Sequence, residues 1–184
     1  MTTIVCLGWG SLIWSPRSLP VKGDWHEDGP HLPIEFSRQS KDGRITLAIT
    51  PGAPEIPVLW AELDVTSLHD AASELGHREG IPPEYWLAYV GVWHPRLSLE
   101  PSHADTIAAW AEARGFDGVV WTALPPGFQQ ALGTVPTLDE ILTYLHSLTG
   151  ETLARAEEYI RKAPAQTRTP YRTEIEKMLS WTPL

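Results

Sequence analysis

Residues 4–14 read IVCLGWGSLIW, a short apolar run that ends in two closely spaced glycines. The run over residues 4–7 stops at Gly8, which predicts a central β-strand followed by a sharp turn. Glycines let main-chain N–H groups converge on one point, and a helix start would add partial positive charge there. Such a loop is able to bind an anion or a carbonyl oxygen. Glycine turns are common, however, and the simpler interpretation is a tight turn that Trp9 and Trp14 pack.

The loop does not fit the better-known glycine motifs. A dinucleotide fingerprint needs a third glycine where the chain has Ile13, and Pro16 and Pro20 leave no room for the long crossover helix. A Walker A loop needs Gly-Lys followed by Ser or Thr, which this segment lacks. A nucleophile elbow around Ser11 needs glycines two residues away on both sides, where Trp9 and Ile13 stand.

A helix predicted from about residue 68 carries a carboxylate on its apolar face. Its apolar residues follow an i, i+4, i+7 spacing, and the next step of four reaches Glu79, roughly 20° around the axis from Leu68. A buried carboxylate is costly without a partner. Glu79 also precedes Gly80 at the helix C-terminus, where the helix dipole opposes negative charge. Both effects disfavour the ionised form of a carboxyl group, which suits a general acid or base.

Two simpler interpretations of this helix compete with a catalytic one. Gly76 could end the helix early, which would leave Glu79 on a solvated loop and paired with the neighbouring Arg78. Arg78 could also form an ordinary i, i+4 surface pair with Glu74.

The remaining pattern predicts an α+β (mixed α/β) protein with a helical C-terminal part. Further strands are predicted at residues 45–49, 58–65, 86–93 and 119–121. Further helices are predicted between a Ser102 cap and a Gly115 stop, after a Thr137–Glu140 capping box, over residues 151–163, and around residues 175–179. We expect one domain over residues 1–184, with a mixed sheet over 1–126 and helices over 137–184.

The amino-acid composition excludes several classes of function. The chain has 14 Lys and Arg against 23 Asp and Glu, and its net charge of −9 is unsuited to nucleic acid or an anionic membrane. Cys6 is the single cysteine, which excludes an internal disulfide and a cysteine-rich zinc module. No stretch approaches the roughly 20 apolar residues of a membrane span, and glycines break the first apolar run too early for a signal peptide. We expect a cytoplasmic protein without a nucleic-acid or membrane partner.

The loop and the glutamate together resemble the γ-glutamylcyclotransferase superfamily. Gly-Trp-Gly-Ser-Leu-Ile-Trp at residues 8–14 is similar to that family's Tyr-Gly-Ser-(Leu/Asn) loop, and the Ile-Trp continuation is typical of the branch acting on glutathione. A strand, a short helix and Arg78-Glu79-Gly80 resemble the family's second block in order and spacing. The resemblance covers residues 3–126.

The resemblance implies a small mixed α/β fold around a twisted, barrel-like sheet, and a cyclotransferase activity. The α-amine of a γ-glutamyl group attacks its own γ-carbonyl, which gives 5-oxoproline and releases an amine or peptide without any metal or organic cofactor. Glu79 would be the catalytic acid and base. The γ-glutamyl moiety would be bound by the loop amides of Trp9, Gly10, Ser11 and Leu12. Trp9 stands where the family usually has tyrosine, so that hydroxyl is missing while the loop amides are kept.

Other residues are weaker candidates. Arg38, in a polar stretch before the strand at 45–49, could bind a substrate carboxylate, and Trp86 could form a pocket wall; a strand edge and core packing are the alternatives. Residues 26–31 hold two histidines and two acids, but the segment lacks the i, i+4 spacing of helical metal ligands. We therefore predict a solvated loop there and no metal site.

Two other functions compete with the cyclotransferase. The same fold occurs as an appended domain in amidohydrolases that act on small amide-bearing carboxylates, and in catalytically silent members. An amidohydrolase-like enzyme and a non-catalytic module that binds a small ligand are therefore the alternatives.

Overall fold

A computed structural model describes residues 2–96 and 103–184 of the chain as a mixed α+β protein. The described strands are β1 (Ile4–Gly8), β2 (Val21–His26), β3 (His31–Gln39), β4 (Ile45–Ile49), β5 (Glu55–Pro57), β6 (Leu59–Leu63), β7 (Val90–Trp93) and β8 (Gly118–Thr122). The described helices are α1 (Leu68–Glu79), α2 (Trp86–Tyr89), α3 (Ala104–Arg114), α4 (Leu138–Ser147), α5 (Gly150–Lys162) and α6 (Pro170–Leu179). None of these helices has the length and apolarity needed to cross a membrane.

The chain divides into two compact units. The first comprises Met1–Gly8, Ser15–Leu32 and Pro57–Leu124, and the second comprises Trp9–Trp14, Pro33–Ile56 and Pro125–Leu184. The second unit therefore groups the C-terminal helices with strands from the first third of the chain. The single domain over residues 1–184 stays a prediction.

The first unit contains a five-stranded sheet in the order β2-β6-β1-β8-β7. Its central strand β1 pairs antiparallel with β6 and parallel with β8, with Ile4 opposite Gly118. Every residue of β1 is buried, as expected for a strand in the middle of a covered sheet. Within the described residues β2 and β7 form the two edges, so this sheet does not close into a barrel. The arrangement places Gly8, the residue before the glycine loop, at the end of the central strand.

The second unit contains most of a three-stranded sheet in the order β4-β3-β5, together with α4, α5 and α6. β3 and β4 pair antiparallel with an irregularity between Phe36 and Arg38. The predicted capping box of α4 is confirmed, because Thr137 and Glu140 exchange both side-chain-to-backbone hydrogen bonds. Glu35 of β3 is buried and accepts a hydrogen bond from the Tyr171 N–H in the first turn of α6.

Several predicted strands and helices are confirmed, and one predicted strand is shorter than expected. The strands at 4–7, 45–49 and 119–121 are present, as are the helices that start near residues 68, 138 and 151. The strand predicted over 86–93 begins only at Val90, because a 3-10 turn over Pro83–Tyr85 continues into α2. Proline at the start of that turn fixes a helical φ. The sequence analysis missed β2, β3 and β5, and its Ser102 cap lies outside the described residues.

Candidate functional site

The loop that follows β1 is a tight turn, as predicted. The Ile13 N–H donates a hydrogen bond to the Gly10 carbonyl at 3.0 Å. Trp9, Gly10 and Leu12 are buried, and Ser11 is half-buried. The loop is therefore largely shielded from solvent, and its binding of a carbonyl or an anion stays a prediction.

Close packing, and not an unusual φ, explains the two glycines of this segment. Neither Gly8 nor Gly10 has a positive φ. A Cβ at Gly8 would lie 2.6 Å from the indole ring of Trp25 within the first unit. A Cβ at Gly10 would lie 2.2 Å from the hydroxyl oxygen of Tyr159 within the second. Any side chain at either position would overlap a bulky aromatic residue.

Tyr159 of α5 is a loop neighbour that the sequence analysis missed. The Leu47 N–H donates a hydrogen bond to its hydroxyl oxygen at 3.3 Å. Its ring packs edge-on against Trp14 at 5.3 Å between centroids, and the Arg44 guanidinium lies 5.3 Å from the ring centre. Tyr159 is far from the loop in the chain, so no local pattern could have revealed the contact.

Helix α1 has the sequence-predicted start and runs to Glu79. The Ser67 side chain caps it by accepting a hydrogen bond from the Asp70 N–H at 3.1 Å. Gly80 ends it with a left-handed φ of 65°, a conformation that favours glycine. The alternative in which Gly76 ends the helix early is wrong, and Glu79 is the last helical residue.

The Glu79 carboxylate is largely shielded and paired with its neighbour. Arg78 Nη1 donates to Glu79 Oε1 at 2.8 Å, and the two side chains are 6% and 16% exposed, respectively. Arg78 Nη2 donates to the Ser15 carbonyl at 2.7 Å. Arg78 is therefore a buried residue. The pairing of Glu79 with Arg78 is confirmed, and the alternative of a surface pair between Arg78 and Glu74 is wrong.

Cys6 of β1 is buried, and the charges of Glu79 and Arg78 act on its thiol. Burial raises the pKa of the Cys6 thiol, the Glu79 charge raises it further, and Arg78 partly opposes both. The Cys6 Sγ donates a weak hydrogen bond to the Leu7 carbonyl at 3.4 Å. The thiol is accordingly a core group.

Trp86 packs over the last turn of α1. Its indole lies so close to Gly76 that a Cβ there would be 2.4 Å from Nε1, and Nε1 donates to the Ile81 carbonyl at 2.8 Å. His77 is exposed and contacts the indole edge-on at 5.0 Å. Trp86 is thus half-buried next to the turn that carries Glu79, where a role in substrate contact stays a prediction.

Arg38 lies in the second unit, one residue before the end of β3, which is the central strand of its sheet. Its Nη1 donates to the Pro125 carbonyl at 2.6 Å, and its carbonyl accepts from the Thr46 hydroxyl at 3.2 Å. The adjacent Ser37 hydroxyl is buried and shares a 2.6 Å hydrogen bond with Thr50. Arg38 therefore fixes a neighbouring loop, and its binding of a substrate carboxylate stays a prediction.

Side chains in residues 26–31 form ring contacts and hydrogen bonds with neighbouring residues. His26 stacks on Trp60 at 4.2 Å between ring centroids. Asp28 accepts hydrogen bonds from Trp60 Nε1 and from Arg114 Nη2, each at 2.8 Å. No group of three or more metal-ligating side chains occurs in residues 2–96 and 103–184.

The expected site residues fall into both units. Glu79 and Trp86 belong to the first unit, while the loop over 9–12 and Arg38 belong to the second. Gly8 and Ser15, which flank the loop segment in the chain, belong to the first unit with Glu79. Within the first unit, Arg78 thus connects the Glu79 carboxylate to the main chain at Ser15.

Comparison with known proteins adds no relative. Neither a family model, nor a curated protein, nor a solved structure matches the chain.

Proposed function

We propose that this chain is a cofactor-independent cyclotransferase of the γ-glutamylcyclotransferase-like superfamily. It would convert a γ-glutamyl amine or peptide to 5-oxoproline and a free amine. The observation that carries the proposal is the Glu79 carboxylate, which ends α1 with 16% of its side chain exposed. The five-stranded sheet of the first unit would be the family's twisted core, and the protein would act in the cytoplasm on a small molecule.

Glu79 supplies the proton transfers of this reaction. The substrate ammonium cannot attack a carbonyl, so a base must first remove a proton from it. The freed amine then forms a C–N bond to the γ-carbonyl carbon, and the bond from that carbon to the leaving nitrogen breaks. Glu79, now protonated, returns the proton to the leaving nitrogen as that bond breaks. It then removes the second proton from the ring nitrogen, and the released amine carries this proton away as its ammonium. The step is balanced without an oxidant, a metal or water.

The main-chain N–H groups of the loop over residues 9–12 would stabilise the negative charge that develops on the γ-carbonyl oxygen. Main-chain N–H groups directed at the developing oxyanion contribute about 2.7–4 kcal/mol per donor in comparable enzymes. Such donors work best when they cannot move, and the contact of Gly10 with the buried Tyr159 limits movement of this loop. Ring closure within one substrate needs little further help, because its reacting groups are already joined.

A second candidate is a non-catalytic module that binds a small carboxylate or amide. The observation that favours it is the Arg78–Glu79 contact, because structural ion pairs also bury carboxylates. An amidohydrolase-like enzyme would use the same groups with water as the nucleophile.

A substrate panel distinguishes the three functions. The purified protein is incubated with γ-glutamyl amines, γ-glutamyl dipeptides and glutathione, and the products are separated and identified. 5-Oxoproline supports the cyclotransferase, while free glutamate without 5-oxoproline supports the hydrolase. Binding without turnover on every substrate supports the ligand-binding module and refutes the proposal.

A further inference from the structure

We propose that Arg78 is a positioning residue that fixes the Glu79 carboxylate for proton transfer, an inference that rests on the proposed function. The proposed function assigns Arg78 no role of its own. It acts through Glu79 and through the main chain at Ser15.

The geometry of Arg78 suits this role. Its two terminal nitrogens bind two different acceptors, Glu79 Oε1 at 2.8 Å and the Ser15 carbonyl at 2.7 Å. The planar guanidinium holds both acceptors in a fixed relation, which a flexible lysine ammonium could not do. The carboxylate is therefore tied to the main chain at the residue that follows the loop segment.

The contact also differentiates the two carboxylate oxygens. Arg78 donates to Oε1, which makes that oxygen the weaker proton acceptor of the two. A proton from a substrate ammonium would therefore be taken by Oε2. Glu79 in the ionised form is kept in one orientation, which a general base needs before the substrate arrives.

Burial argues against a purely stabilising role for this pair. The Arg78 and Glu79 side chains are 6% and 16% exposed, whereas those of the Arg114–Asp28 pair in the same unit are 31% and 64% exposed. Desolvating two charges costs about as much as their attraction returns, so apolar residues often stabilise such a site equally well. A buried pair at the end of α1 is better explained by the orientation that it imposes.

The test compares Arg78→Met and Arg78→Lys with a matched control. Arg172→Lys alters another buried arginine, which donates to the carbonyls of Ala163, Pro164 and Thr167 in the second unit. Each variant is measured by steady-state kinetics on the best substrate of the panel, and each is crystallised to locate the Glu79 carboxylate.

We expect Arg78→Met to lower kcat about 10²-fold, the usual effect of a misplacement of about 1 Å, with KM changed much less. Arg78→Lys should recover part of that loss, and Arg172→Lys should keep the wild-type kcat whatever its stability. In the Arg78→Met crystals the carboxylate should leave its wild-type position.

Unchanged kcat in both Arg78 variants, or an unmoved carboxylate, would overturn the proposal. If Arg78→Met does not fold, the kinetics and crystal structure of Arg78→Lys decide. If the wild type converts no substrate, the proposed function fails, and the position of the carboxylate in the variant crystals still decides whether Arg78 orients it.

Discussion

Replacing Gly10 with alanine introduces one methyl group into the most tightly packed point of the loop. The new Cβ would lie 2.2 Å from the Tyr159 hydroxyl oxygen, which is 1.2 Å short of the 3.4 Å at which ordinary contact begins. Tyr159 cannot easily retreat, because it is 5% exposed and its ring packs against Trp14 and Phe36. The loop or the helix α5 must therefore shift.

The size of the effect follows from this overlap. Inserting a methyl group into a well-packed core costs about 1–3 kcal/mol, and the rigid surroundings place Gly10→Ala in the upper half of that range. A loss of about 2–3 kcal/mol lowers the Tm of a chain of this length by about 4–12 °C. Tyr159→Phe alone costs about 1–3 kcal/mol, because it leaves the Leu47 N–H without its 3.3 Å acceptor.

A double-mutant cycle tests the cause of the effect. Without the hydroxyl, the nearest atom to the new Cβ is Cζ of residue 159 at 3.2 Å, which needs a shift of only a few tenths of an ångström. Gly10→Ala should therefore cost about 2 kcal/mol less in the Tyr159→Phe background than in the wild type, measured by urea unfolding. Additive losses, or a harmless Gly10→Ala, would refute the proposed packing of the loop.

Three further predictions concern other buried groups. Burial raises the pKa of Glu35, so its protonated form stabilises the fold at low pH and that contribution is lost as pH rises through the raised pKa. The difference in the free energy of unfolding between the wild type and Glu35→Gln should accordingly fall as pH rises from about 4, which is the ordinary pKa range of glutamate. A difference that does not change with pH would contradict this. Cys6 should resist alkylation at pH 8 until the chain unfolds, as followed by mass spectrometry, and rapid labelling of the native protein would contradict its burial. Gly76→Ala should lower the Tm, since its clash with Trp86, about 1–3 kcal/mol, exceeds the gain in helix propensity of about 1 kcal/mol; an unchanged or raised Tm would show that the indole can move.

The parts of the fold that local chemistry determines could be predicted from the sequence. The caps and apolar spacing of α1 and the capping box of α4 lie within a few residues, so each helix start could be found. β3 was missed although Leu32, Ile34 and Phe36 occupy alternate positions, because Pro33 within the run argues against a strand. Long-range contacts decide which of its polar residues become buried.

The candidate site shows the same division. Glu79 could be singled out because its position on the stripe of α1 follows from helical periodicity. The partners that give the site its geometry could not, since Arg78 reaches Ser15 and Tyr159 reaches Gly10 across long stretches of chain. The i, i+4 rule even gave Arg78 the wrong partner, because it assumes an exposed helix face.

The central claim is that Glu79 removes the proton from the substrate ammonium, so that the freed amine can close the 5-oxoproline ring. The most direct measurement is the initial rate of 5-oxoproline formation by wild type and Glu79→Gln, with Glu74→Gln of the same helix as the control. General acid and base catalysis by one side chain is worth about 10²–10⁴-fold, so Glu79→Gln should lose at least about 10²-fold in kcat while Glu74→Gln keeps the wild-type rate. Equal rates in the wild type and in Glu79→Gln would contradict the account.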